Sequence, residues 1–77
     1  MAGVTYSELA RREGELARAE LVRAENARRF ALRQADEGLS EYFQRVALRC
    51  ERDSSDHAER ARRFEVLAAG EEPIATP

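Results

Sequence analysis

From Thr5 to Asp36, and again from Ser40 to Ala69, apolar residues recur every three or four positions, and this spacing predicts two amphipathic helices, 5–36 and 40–69. Their apolar faces are built mostly from alanine. Both repeat a small residue every seven positions: Ala10, Ala17, Ala24 and Ala31 in the first, Ala47, Ser54, Ala61 and Ala68 in the second. Small side chains at heptad spacing let two antiparallel backbones approach more closely than leucine would permit. Between Ser7 and Asp36 there is no proline and one glycine, Gly14, among strong helix formers. Thr5 or Ser7 can cap the first helix, with Glu8 complementing its dipole. Glu8 with Arg12, Glu15 with Arg18, and Glu25 with Arg29 are spaced to support its outer face.

The segment Asp36-Glu37-Gly38-Leu39-Ser40 is the natural break, with Gly38 suited to a left-handed C′ position and Ser40 to capping the second helix. The rival is one continuous helix through Gly38, because a lone glycine costs only about 1 kcal/mol against alanine. The second helix carries Leu39, Phe43, Val46, Cys50, His57, Ala61, Phe64 and Ala68 on one face. Its weak point is Asp53-Ser54-Ser55-Asp56, which could cap a third short helix. Residues 1–4 read as a short arm, and 70–77, with two prolines, as a disordered tail.

The fold expected is therefore all-α, an antiparallel helical hairpin over 5–69. Two helices bury only one seam, yet Leu21, Val22, Phe30, Leu32, Leu48, Val66 and Leu67 lie beside or behind it. A dimer of hairpins forming a four-helix bundle would cover many of them. The residues expected at such an interface are Leu9, Leu16, Phe30, Phe43, Val46, Phe64 and Leu67.

Length sharpens the point, since a chain of 77 residues buries only about 60% of the surface that its unfolded form exposes. Cys50 is the one cysteine, so no internal disulfide can compensate, and self-assembly is the simplest remaining support. The 13 basic and 15 acidic side chains leave a net charge of −2, which does not attract nucleic acid or anionic membrane in bulk. All 13 basic residues are arginine; with 14 alanines, this reflects GC-rich coding better than selection for phosphate binding. There is no secretory leader pattern and no run of about 18 apolar residues, and these features with the unpaired cysteine suggest a cytoplasmic protein.

Candidate chemistry is confined to a polar layer in the seam. At about 100° per residue, Glu13 and Glu20 fall on the first helix's apolar face with Arg23 at its border, and Asp53, Ser54 and His57 fall on the second's. A chain folding back at Gly38 sets Glu20 near His57 and Arg23 near Asp53. Such pairs fix register and partner in a weakly apolar seam. A His57–Glu20 pair would also hold the imidazole charged, favouring the assembled state at lower pH. The alternative is a divalent-metal site, with Asp53 and His57 at i, i+4 and Glu20 from the facing helix. Cys50 and His57 are separated by about 10.5 Å of helix rise, too far to share an ion, and the Glu-x-x-His pair of di-iron bundles is absent. A catalytic Cys50, His57 and Asp53 set lacks an oxyanion loop and hydrogen-bond contact between nucleophile and base.

Arg11-Arg12, Arg28-Arg29 and Arg62-Arg63 could follow phosphates, but interspersed acids and the lack of a stacking platform favour a solvated face. The reading is a small non-catalytic interaction module that binds itself and another protein, with no cofactor and no membrane. A metal-binding dimer using Glu20, Asp53 and His57 is the alternative, and a nucleic-acid-binding helical protein comes third.

Overall fold

The computed structural model of the protein describes residues 3–71, in which α1 spans Tyr6–Arg33 and α2 spans Glu37–Glu71, packed against each other as a hairpin. α1 starts at a capping box. The Thr5 hydroxyl accepts from the Glu8 N–H at 3.1 Å, and the Glu8 carboxylate accepts from the Thr5 N–H at 3.0 Å, which satisfies two otherwise orphaned donors. That hydrogen bond from the Thr5 backbone, chiefly, lowers the Glu8 pKa from its ordinary 4.5.

The turn lies earlier than the glycine suggested. α1 ends at Arg33, where Gln34 turns extended with φ −84° and ψ 127°. Asp36 then caps α2, its side chain accepting from Leu39 N–H and its carbonyl from Ser40 N–H, each at 3.0 Å. Gly38 therefore sits inside the first turn of α2, and no glycine among the described residues has positive φ. Both expected boundaries move by three residues, because Asp36, with Glu37 at the dipole's positive end, takes the capping role expected of Ser40.

α2 continues through Asp53–Asp56 without a break, and a single glycine at 70 does not end it. The expected tail thus begins two residues early; 72–77, like Met1 and Ala2, lie outside the described residues. No helix among those described is long and apolar enough to cross a membrane.

The core is made of small side chains. Ala10, Ala17, Ala24 and Ala31 are buried on α1, and Ala47, Ser54, Ala61 and Ala68 on α2, so the heptad repeat of small residues is the packing seam. Ala47 is wholly inaccessible and Ala24 2% exposed, with Ala27 and Cys50 closing the same cluster and Val46 against it. Among the described residues no large side chain is fully buried.

Candidate functional site

Half a heptad from each small row runs a second row facing the partner helix: Tyr6, Glu13, Glu20 and Ala27 on α1, and Phe43, Cys50, His57 and Phe64 on α2. In an antiparallel pair like rows meet, small against small and large against large. The contacts agree. Ser54 Oγ donates to the Ala17 carbonyl at 2.8 Å across the small rows. Across the other pair, Tyr6 stacks on Phe64 with ring centroids 6.1 Å apart, and His57 Nδ1 lies 2.5 Å from Glu13 Oε1.

Glu13 with His57, and Ala17 with Ser54, are equidistant from Ala35 to within one residue, so the hairpin folds about Ala35 and not about Gly38. Moving the turn along the chain shifts the antiparallel register by twice as much. A three-residue move becomes nearly one heptad, and Glu13 takes the place expected of Glu20. The pairing of Glu20 with His57 is thus corrected to Glu13 with His57. Arg23 bonds Glu20 of its own helix at 3.1 Å, not Asp53. The expected Glu8–Arg12, Glu15–Arg18 and Glu25–Arg29 pairs are not among the ion pairs of the described residues; Glu59–Arg63 and the interhelical Arg28–Glu51, at 2.9 and 2.8 Å, are.

Two polar clusters result. In the first, the Glu13 carboxylate receives both His57 and Arg60, whose Nε donates to the same oxygen at 3.3 Å while Nη2 lies 2.9 Å from His57 Nδ1. One ring nitrogen cannot donate to the carboxylate and accept from the guanidinium together. The 2.5 Å contact assigns the Nδ1 proton to the Glu13 bond. The hydrogen bond from His57, more than that from Arg60, holds the Glu13 carboxyl below its ordinary 4.5 despite partial burial. The sequence places Glu13 on the apolar face but does not single out Arg60, whose position three residues after His57 and just before Ala61 is the one signal of its role.

In the second cluster, buried Cys50 lies beside Glu20, with Arg23 and Asp53 nearby. Burial first, and then the Glu20 carboxylate, push the thiol above its ordinary 9.0. A nucleophilic cysteine needs the opposite shift. Nor do Glu20, Asp53 and His57 converge: among the described residues no three His, Cys, Asp or Glu side chains form a metal-binding group, so the proposed ligand trio is corrected by the same register shift.

A flanking row, one residue before each small position, completes this face. It holds Leu9, Leu16, Arg23 and Phe30 on α1 and Leu39, Val46, Asp53, Arg60 and Leu67 on α2. Phe30 meets Phe43 at 5.5 Å between centroids, and Tyr42 meets Phe43 edge-on at 5.3 Å. All seven residues expected at an interface fall on this face, with the polar clusters between them. Leu9, Phe43, Val46 and Phe64 are half-buried, whereas Leu16, Phe30 and Leu67 are each nearly half exposed. The opposite face, beyond the small rows, carries an apolar groove of about 340 Å³ near the turn, lined by Arg28, Ala31, Leu32, Gln44 and Leu48.

No protein-family model, no curated protein and no solved structure matches this chain.

Proposed function

We propose that the hairpin is a self-associating interaction module without catalytic activity of its own, which completes its core by pairing with another hairpin as a four-helix bundle. One observation carries this reading. The seam buries alanine, one cysteine and one serine, while leucines and phenylalanines that would normally supply a core stand half exposed on its flank. Full burial of such a side chain is worth about 1.5–3 kcal/mol, and that stabilisation is only partly collected in a lone hairpin. Exposed apolar side chains gathered on one face and interspersed with charge are also a usual mark of a protein-binding surface.

Sedimentation equilibrium and native mass spectrometry at micromolar concentration test the reading, before and after chelator. A metal-free, even-numbered oligomer is expected. A monomer that persists into the hundreds of micromolar overturns self-association. No observation favours metal binding or nucleic-acid binding over this account, since the candidate ligands are dispersed and Arg23, Arg28, Arg60 and Arg63 are held by carboxylates.

A further inference from the structure

The connector between the helices contains nothing that forbids helix. Gln34, Ala35 and Asp36 include neither proline nor glycine, Gly38 already lies within α2, and no described residue has positive φ. What the turn gains locally is the Asp36 cap on Leu39 and Ser40. Such a chain has an alternative form, in which α1 runs straight on into α2 as one long helix and two copies lie antiparallel, exchanging halves. Each α1 would then meet the second copy's α2 across the same seam, with the contacts of Ser54 to Ala17 and of His57 to Glu13 remade between chains.

The phase of the buried rows opposes that form. Within each helix the small residues recur every seven positions, but Ala47 follows Ala31 by 16, two residues more than two repeats. Ala27 to Phe43, and Phe30 to Val46, take the same step. At about 100° per residue, two extra residues swing the rows of α2 about 200° round the axis from the continuation of those on α1. Two straight helices touch along one line, so a long helix that seats one half of its seam on a partner turns the other half away. Satisfying both halves would take a different neighbour on each side, an open-ended array. The hairpin satisfies both within one chain, because the connector leaves the helical path and α2 can roll until its small row meets that of α1.

We infer that this two-residue step is a conformational lock: it bars exchange into a closed pair of long helices and commits the chain to fold back on itself. The lock acts within one chain and stands apart from the self-association proposed above. To that proposal it adds the form of the associating unit, which is the closed hairpin.

The test sets phase against connector length and against the cap. Deleting Gln34 and Ala35 keeps Asp36 and brings the rows into continuous seven-residue spacing; deleting Gln34, Ala35 and Asp36 shortens the connector further and removes the cap, yet leaves the rows about 100° out of phase. Each chain carries Cys50→Ala with dyes on Ser7→Cys and Val66→Cys, two exposed sites at the open end, and is diluted into a large excess of unlabelled chain so that energy transfer reads distances within one molecule. Wild type should transfer efficiently. The two-residue deletion should lose transfer almost completely, as the dyes separate to about 85 Å along one helix, and should sediment as a dimer at micromolar concentration. The three-residue deletion should keep its transfer, its helix ends fraying to rebuild a turn. A two-residue deletion that stays closed or unfolds overturns the lock, and so does a three-residue deletion that forms the long-helix dimer. A wild type that is monomeric throughout overturns self-association and leaves the lock intact.

Discussion

The two rows that make the seam differ in what they can tolerate. The small row, Ala10 to Ala31 against Ala47 to Ala68, is packed so closely that Ser54 reaches the backbone carbonyl of Ala17, and its residues serve chiefly to be absent. The large row beside it contains aromatics at both ends and, in between, partly exposed carboxylates and a histidine beside a buried thiol. Helix separation is set by the first row and specificity by the second. One consequence is that volume added to the small row has nowhere to go, whereas polarity changed in the large row alters pairing more than it alters packing.

The largest effect that would break this contrast comes from Ala47→Leu. Ala47 has no accessible surface, so the added atoms must push the helices apart, and a loss of about 3 kcal/mol is expected in urea unfolding. Cys50→Val, which adds little volume half a heptad away in the large row, should cost about 1 kcal/mol. Comparable losses for the two would abolish the distinction. Ser54→Ala removes the cross-helix hydrogen bond but leaves a small residue in place; it should cost about 1 kcal/mol with the hairpin geometry unchanged, as read by circular dichroism and urea unfolding.

A smaller effect separates the rows by pH. The folded Glu13 pKa lies below 4.5, so the carboxylate's contribution is complete above about 4.5 and disappears as pH falls through the lowered folded value. Wild type should lose stability over that acid interval, and Glu13→Gln should lose less. Equal acid sensitivity in thermal melts of the two proteins would show that the Glu13–His57–Arg60 cluster contributes nothing to the linkage. Pairing of Glu20 with His57, in place of Glu13, would instead make Glu20→Gln the variant with the altered profile.

The range of each interaction decided whether it was legible in the sequence. Helix propensity, the Thr5 and Glu8 cap and the seven-residue repeat are local or periodic, and each was recoverable from residue order alone. The turn was not. Gly38 and Ser40 offered one plausible stop and start and Asp36 with Glu37 another, and the choice between them depends on capping energies of about 1 kcal/mol. That small local difference is doubled by antiparallel geometry into nearly a heptad of register. It therefore left the buried rows on their faces but changed which charges meet.

The sequence by itself determined two helices, their seam of small residues and the face on which large apolar and ionisable side chains gather, because a periodic pattern survives an error in the turn. Only the tertiary structure decided that Glu13, not Glu20, receives His57, that Arg60 joins them, and that Ser54 bonds the facing backbone. Those contacts depend on where the second helix lies along the first, a distance set by the turn and by close packing across the seam and encoded in no single stretch of residues.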